Sequence, residues 1–456
     1  MSPLRRIALL LAALDLAALV LVFNLVSHLR GLGVQGMIFT PLLAPFALLV
    51  IALYLVDGYK SRTDMMSVDY TSQHILALAS TLVTMLLLTY AIIPSGYPLQ
   101  QSRVVIALSF FLLTPVTLGY RRLIYRRQLR ARGQRAIVFL GDRASCAAFQ
   151  QECAKTGLDR PVIFSTSDAA AAGPADAALK IELFDEVLAR VERKESAVEA
   201  IVLRESNREL RPELAERLVD LYFAGIPTYT LELFHQIYWR KIPLYRLNPT
   251  WLFQEGFQIA REPVFERLKR LSDIVLSLLG LLLSALPLSL AALAVKAGDG
   301  GSIFFIQTRI GKNHRPFRLF KLRTMRASQP DDGAAYTQKN DPRITPVGRF
   351  LRVSRLDELP QLWNVLRGDM SLIGPRAEWD RLVEDYERQI PCYYFRHLVK
   401  PGITGWAQVN YPYGANLEDT VRKLEYDLYY IRHFSFVLDA SIVLKTIHIM
   451  LFGKGR

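Results

Sequence analysis

Cysteine is nearly missing. The three in 456 residues, Cys146, Cys153 and Cys392, are odd in number and lack metal-ligand spacing, which argues against a disulfide framework and against structural zinc and fits a reducing compartment. No internal repeat is present, so solenoid and propeller architectures are not expected. No Asp-x-Asp pair occurs, so the metal motif usual in enzymes that build glycosidic bonds is lacking. The G-x-G-x-x-G turn that lets backbone approach a dinucleotide's pyrophosphate is also wanting. The strand-to-helix turn placed to carry it reads GDRASC at 141–146, with a single glycine. Dinucleotide binding is therefore not expected, and a structural or regulatory role is preferred for that region. Acidic residues are in deficit, 42 against 56 Lys and Arg, and the net charge of +14 suits a phosphate-bearing partner, whether lipid headgroup, nucleotide or nucleic acid.

Apolar sequence, by contrast, is abundant: 51% of residues are hydrophobic, rich for a soluble protein, and the length calls for several domains. Four apolar stretches, at 7–29, 37–56, 74–93 and 104–124, each approach the ~20 residues that span hydrocarbon as a helix. The first is too long, and lacks the cleavage pattern, to be an ordinary signal peptide. A four-helix transmembrane unit is predicted over 1–130. Arg5 and Arg6 precede the first span, Lys60 and Arg62 follow the second, and Arg121, Arg122, Arg126, Arg127, Arg130, Arg132 and Arg135 follow the fourth. The loop at 94–102 has no basic residue and should face outward, leaving both ends of the unit cytoplasmic. Asp15, Asn24 and His28 fall within the first span. An acid there is a site hypothesis by default, although one alone is more often paired inside a bundle.

Residues 131–255 change to a soluble α/β texture. AIVFL at 136–140, AIVL near 200 and IPTYTL near 226 read as buried strands alternating with helices, a Rossmann-like domain, with the alanine-rich stretch near 170 as a flexible surface loop. A third domain is assigned to 262–456. Near its start, IVLSLLGLLLSALPLSLAALAVK at 274–296 is long enough to cross a bilayer. It is flanked by Arg267, Lys269 and Arg270 on one side and by Lys296, Arg309, Lys312, Arg315, Arg318, Lys321 and Arg323 on the other, and basic flanks at both ends conflict with a simple crossing. Pro287 removes a helical hydrogen bond and bends the axis, so a re-entrant helix over about 268–296 is predicted, with the Ser284 hydroxyl available to a freed carbonyl and a kinked ordinary span as the competing reading. The fold class is thus membrane α plus α/β.

A dense polar series follows: FKLRTM at 320–325, NDPRITPVGRFLR at 340–352 and VSRLDELPQLWNVLRGDMSLIGPR at 353–376. Pro360 is tolerated only in a first turn, so a helix is predicted to begin within a residue or two of Asp357 and to run to a Gly368 C-cap. That position favours ionised carboxylates. Neighbours on a helix point ~100° apart, so Asp357 and Glu358 suit two tasks, nucleophile and metal ligand, better than one shared proton. Lys321, Arg323, Arg343, Arg349, Arg352, Arg355 and Arg376 supply donors for phosphate oxygens, and Mg²⁺ would bind a carboxylate together with substrate phosphates. A phosphoanhydride substrate is expected. Nucleic acid is not, because these basic residues adjoin an in-plane apolar helix.

The string from KLRTM through RLDELPQLWNVLRGDMSLIGPR to KPGITGWAQVN resembles the bacterial sugar transferases, the monotopic polyprenyl-phosphate sugar-phosphate transferases that begin exopolysaccharide and O-antigen assembly. The likeness covers about 265–456, and the regions before it resemble the amino-terminal part of the family's large members. It implies transfer of a sugar 1-phosphate from a UDP-sugar to polyprenyl (undecaprenyl) phosphate at the cytoplasmic face of the bacterial inner membrane, through a phosphoaspartyl intermediate with release of UMP. It also implies that Asp357 is the nucleophile, Glu358 the principal Mg²⁺ ligand, and Arg352 and Arg376 phosphate contacts. Three departures bear on sugar identity: Leu286 rather than serine precedes Pro287, the triplet at 375–377 ends in Ala377, and Tyr411-Pro412-Tyr413-Gly414 replaces a frequent Gly-Arg. A homodimer is compatible with this reading. The alternative from another class is a membrane-anchored nucleotide-binding sensor or scaffold. The terminal stretch from Val437 is predicted to be an amphipathic interfacial helix, with a core helix as the competing reading.

Overall fold

The computed structural model describes residues 3–31, 38–59, 63, 65–92, 103–131, 135–158, 160–168, 173–174, 179–204, 211–244, 263–326, 341, 343–411 and 416–452. Two compact units result, Met1–Arg135 and Ala136–Arg456.

The first unit holds four apolar helices, α1 (Pro3–Leu29), α2 (Leu43–Leu55), α3 (Val68–Leu87) and α4 (Arg103–Ala131), with α1 against α2 and α4, and α3 against α2 and α4. Helical segments Ile7–Leu29, Tyr70–Tyr90 and Arg103–Arg127 are long and apolar enough to cross a membrane, whereas Thr40–Leu55 is shorter. Leu19, Leu49, Leu78 and Leu113 are buried between the helices, and Phe23 meets Phe110 edge-on at 5.7 Å. Asp15 is fully buried. It pairs with Arg121 at 2.6 Å and accepts hydrogen bonds from Tyr59, at 2.6 Å, and from Tyr120. Arg121 therefore does not belong to a solvated cluster after the fourth span: α4 continues to Ala131, and Arg121 turns inward because a carboxylate awaits it, while Arg126 and Arg127 stay exposed. Asn24 ties α1 to the chain entering α2, donating to the Ile38 carbonyl at 2.9 Å and accepting from the Ile38 amide at 2.6 Å. His28 is exposed. Lys60, Arg62, the 94–102 loop and the side chains of Arg130 and Arg132 lie outside the described residues.

The second unit begins with a six-stranded sheet of β1 (Ala136–Leu140), β2 (Val162–Thr166), β3 (Gly173–Pro174), β4 (Lys180–Leu183), β5 (Val198–Leu203) and β6 (Thr228–Thr230), in the order 3-4-2-1-5-6. All pairings are parallel except β3 with β4. Helices α5 (Arg143–Thr156), α6 (Phe184–Glu192), α7 (Pro212–Phe223) and α8 (Leu231–Phe234) cover it. Alternate residues of β1 feed opposite cores: Ile137 and Phe139 join Phe149 and Phe234, whereas Val138 joins Val187 and Leu214. In the first strand-to-helix turn Asp142 caps α5, accepting from the Ser145 amide at 2.8 Å, and it also pairs with Arg204 beyond β5. A carboxylate thus occupies the corner where a pyrophosphate would need amides. Apart from β3, the alanine-rich stretch near 170 lies outside the described residues.

The chain leaves this sheet without leaving the unit. Ile242 and Leu244 enter the same core as Trp406, Leu428 and Ile431, and the Trp406 Nε1–H donates to the Arg240 carbonyl at 2.9 Å. Beside them Glu152, Lys241 and Glu425 form a buried ionic group with Arg422 at its edge; Lys241 stands 3.3 Å from Glu425, and Arg422 3.3 Å from Glu152.

The remaining elements are α9 (Pro263–Asp299), the hairpin β7 (Phe304–Ile310) and β8 (Pro316–Leu322), α10 (Pro346–Ser354), α11 (Gln361–Arg367), β9 (Ser371–Ile373), α12 (Asp380–Gln389), β10 (Gly402–Thr404), α13 (Trp406–Asn410), α14 (Leu417–Arg432) and α15 (Phe436–Phe452). Along α9, Lys269 pairs with Asp439 at 2.5 Å, Asp273 accepts from the Leu372 amide at 3.0 Å, and Ala291 and Val295 pack with Leu322 and Leu351. The outward side is leucine, with Leu282, Leu283 and Leu286 each more than 70% exposed. The helix is unbroken through Pro287. Ser284 does not serve the carbonyl that Pro287 leaves free, that of Leu283; its hydroxyl donates to Gly280 at 2.6 Å instead, one helical turn back. The terminal helix meets part of each of its two expectations. In α15, Leu438 and Ile442 enter the main core and both charged residues are buried, Asp439 with Lys269 and Lys445 with Asn410 at 2.7 Å. One side of α15 is thus a core side, as the competing reading has it, while Val437, Val443, Ile447 and Met450 stay exposed as an apolar outer side of the kind an interfacial helix would present.

Candidate active site

The site is assembled around the Thr324–Met325 segment, where β8 gives way to a bridge with Ile344. Thr345 caps α10, its hydroxyl accepting from the Gly348 amide at 2.9 Å, and Gly348 is pressed against the Thr324 carbonyl, which would lie 2.0 Å from a Cβ at that position. Only glycine permits that approach. It brings Arg352, one turn along α10, within 2.9 Å of the Thr324 hydroxyl. Arg355 ends α10 in the left-handed region, φ 58°, and reverses the chain into a 3₁₀ turn over Leu356–Glu358.

Asp357 and Glu358 therefore sit on this turn, not on α11 itself, which starts at Gln361; Gly368 closes α11 with φ 94°, as a C-cap requires. The helix dipole is correspondingly less important than the neighbouring cations. Lys321, projecting from β8, holds Glu358 at 3.1 Å, and Arg355 stands 4.0 Å away. Burial works against the ionised Glu358, but Lys321, Arg376 and Arg355 outweigh it and bring its pKa down to about 2. Asp357 moves the other way. Burial and then the Glu358 charge push its pKa above the ordinary carboxylate range, only partly offset by Lys321, Arg352 and Arg355. Burial likewise lowers the Lys321 pKa, opposed by Glu358. Adjacent carboxylates are thus driven apart, one firmly ionised and one basic.

Asp357 is 8% exposed, and its Oδ1 makes no hydrogen bond. An orphan carboxylate oxygen beside an ionised neighbour is a fitting donor set for a hard divalent cation such as Mg²⁺, to be held by Glu358 and Asp357. Not all expected phosphate contacts converge here. Lys321, Arg352, Arg355 and Arg376 act on the carboxylates. Arg323 instead donates from Nε to the Ser302 carbonyl at 2.6 Å, at the turn following α9. Arg343 pairs with Asp341 at 2.7 Å, and Arg349 is exposed on α10.

Several supports had little sequence signal. Asn364 stitches α11 to β8 by accepting from the Phe320 amide at 3.1 Å and donating to the Arg318 carbonyl at 2.6 Å; a lone amide among apolar neighbours was the available hint. Arg270 of α9 donates to the carbonyls of Val365 and Leu366, the latter at 2.5 Å, satisfying the end of α11. Arg396, itself paired with Asp427 at 2.9 Å, donates to the Arg376 carbonyl at 3.0 Å. Residues 412–414, where an arginine contact was in question, lie outside the described residues.

Comparison with known proteins matches residues 264–453 to the bacterial sugar transferase family. The chain is 39% identical over 258 residues to the UDP-N-acetylgalactosamine-undecaprenyl-phosphate N-acetylgalactosaminephosphotransferase of Aeromonas hydrophila, covering 56% of this chain and 60% of that protein. It is 46% identical over 182 residues to the UDP-glucose:undecaprenyl-phosphate glucose-1-phosphate transferase of Escherichia coli K12, covering 40% of this chain and 39% of that one. These two matches therefore span less than two thirds of the relatives' length. The match to the exopolysaccharide production protein PSS of Rhizobium leguminosarum bv. phaseoli, 42% identical over 195 residues, spans 98% of that relative and 41% of this chain. A protein made almost wholly of the segment that carries the Asp357–Glu358 turn has its counterpart here, and on that ground the chain belongs to the bacterial sugar transferase family.

Proposed function

We propose that the protein transfers a sugar 1-phosphate from a UDP-sugar to polyprenyl (undecaprenyl) phosphate at the cytoplasmic face of the bacterial inner membrane, releasing UMP and starting polysaccharide assembly. The observation that carries this reading is the unlike pair at 357–358: a basic, buried Asp357 with a free Oδ1, next to a Glu358 held ionised by Lys321. A carboxylate that is poorly compensated is the better nucleophile. Asp357 attacks the β-phosphorus of the UDP-sugar; an O–P bond forms, the phosphoanhydride bond breaks, and UMP leaves with the bonding electrons. A phosphate oxygen of the lipid then attacks the same phosphorus and frees the carboxylate, leaving the sugar on a lipid diphosphate. Arg352 and Arg376, with Lys321 as a further donor, hold the substrate phosphates; Arg323, turned to Ser302, is not among them. Mg²⁺ bound by Glu358 and Asp357 would offset diphosphate charge as the bond breaks.

The lipid acceptor demands a site at membrane depth, and α9 supports one. Lys269 and Asp273 near its start and Ala291 and Val295 near its end are tied to a single folded body, which a helix crossing the bilayer would have to leave on opposite faces. With its leucines outward, α9 is read as a re-entrant, monotopic helix. The 1–130 bundle then serves as a multi-pass anchor, 131–255 as a structural or regulatory domain and 262–456 as the catalytic domain. Incubating membranes that contain the protein with polyprenyl phosphate and a panel of labelled UDP-sugars tests the reading. One sugar should appear in the lipid fraction with stoichiometric UMP, and no transfer from any UDP-sugar would overturn it.

A further inference from the structure

The turn joining β7 to β8, helix α12 and the 3₁₀ segment Tyr393–Leu398 converge on a second polar cluster that the transfer reaction does not use. His314 comes from the turn, Glu387 from α12 and His397 from the 3₁₀ segment. His314 Nε2 lies 2.6 Å from Glu387 Oε1, His397 Nε2 lies 3.9 Å from the same oxygen, and all three donor atoms fall within 4.8 Å of one another. We propose that His314, Glu387 and His397 form a binding site for a divalent transition-metal ion of the zinc class, with three protein ligands and one position open to water.

Three observations support the assignment. His397 is 5% exposed, yet its Nε2 makes no hydrogen bond, an expensive arrangement for a polar atom aimed at two other donors. Tetrahedral coordination at ~2.0–2.2 Å places ligand atoms roughly 3.4 Å apart; the two histidine–glutamate separations, 2.6 and 3.9 Å, need only open or close by less than about an ångström, and the two imidazole nitrogens, within 4.8 Å of one another, need close by at most about 1.4 Å. Finally, the turn holds two consecutive non-glycine residues, Asn313 and His314, at φ 55° and 58°, a costly conformation that sets the direction of the His314 side chain.

Two imidazoles and one carboxylate suit zinc, cobalt, nickel or copper, and are a poor set for Mg²⁺, which separates this site chemically from the carboxylate turn. Scarce cysteine had argued against structural zinc, but the donors here are gathered from three elements across 84 residues of chain. Their spacing in sequence resembles no motif. Bound metal would clasp the hairpin turn to α12 and to the segment carrying Arg396, whose guanidinium holds the Arg376 carbonyl.

The test uses the full chain, purified in detergent with a histidine-free affinity tag and stripped with chelator. Zn²⁺ titration by calorimetry should show one high-affinity equivalent per chain, unaffected by excess Mg²⁺, and Co²⁺ should give the visible absorption of a low-symmetry, near-tetrahedral site. His314→Ala and Glu387→Gln sit at surface positions and leave the core intact; each should weaken Zn²⁺ binding by about 100-fold or more, beyond the 10–100-fold typical of losing an outer-shell partner. Zn²⁺ should also raise the melting temperature of the parent and not of His314→Ala. Absence of the tight equivalent in the parent, or equal affinity in the parent and both variants, would overturn the proposal.

Discussion

Replacing Lys321 by methionine is the sharpest test of how the carboxylate turn is held. Glu358 stays ionised down to about 2 instead of its ordinary 4.5, which corresponds to roughly 3 kcal/mol of favourable interaction with the charged form, at ~1.4 kcal/mol per pH decade. A depressed carboxylate pKa contributes stability that is present above the unfolded value and lost as pH falls towards the folded one. At neutral pH the whole contribution is therefore in place. Lys321, 3.1 Å away and, like Glu358, less than one-fifth exposed, is its principal source. Truncating one partner of such a pair strands the other charge and costs about 3–5 kcal/mol. For a unit of this size that lowers the melting point by roughly 6–10 °C, which can be followed by the fluorescence of buried Trp406 in detergent with chelator present. Lys321→Met combined with Glu358→Gln should recover most of the loss, since no charge remains to be stranded. Added Mg²⁺ should raise the melting point of Lys321→Met more than that of the parent. If single and double variants melt together, Glu358 does not depend on Lys321 and the account of the site fails.

Asp357→Asn should abolish UMP release even without lipid acceptor; release near the parent rate would show that Asp357 is not the nucleophile. Because burial and Glu358 raise the Asp357 pKa, the acid limb of the pH–rate profile should lie above the ordinary 3.8, activity falling as pH drops and the carboxylate takes up a proton; a profile flat down to that value would contradict this. Arg376→Lys should raise KM for the UDP-sugar by about tenfold while sparing the fold, since lysine replaces a bidentate fork poorly. In a cysteine-free background, Val264→Cys and Ser302→Cys should both label from the cytoplasmic side, and a residue 302 label reachable only from outside would exclude a re-entrant α9.

Much of the local structure was legible. Apolar β1 flanked by turn residues, and Gly368 after QLWNVLR, are signals whose cause is confined to a few neighbouring residues. Asp357 and Glu358 could be seen as a pair with separate tasks, but not which would be basic, because that depends on Lys321 and Arg376, distant in sequence. Alternation along β8 would place Lys321 and Arg323 on one face. The strand ends at Leu322, so Arg323 leaves the pleat and finds Ser302. The same lesson applies to charged residues in apolar stretches: Arg121, Asp439 and Lys445 read as solvated by composition and are buried by pairing, and their partners lie 106, 170 and 35 residues away.

The Asp15–Arg121 pair also bears on how the bundle is made. Asp15 emerges from the ribosome more than a hundred residues ahead of Arg121, and throughout that interval α1 carries an acid whose ion-pair partner in the folded bundle has not yet been made. Hydrocarbon is a poor place for a helix to wait in that condition. The tyrosine of the loop after α2, Tyr59, is made earlier than Arg121 and donates to the same carboxylate, so settling of this unit is a joint event of its first and last helices. Assembly of the anchor is therefore timed by its slowest strand of information, the arrival of one arginine.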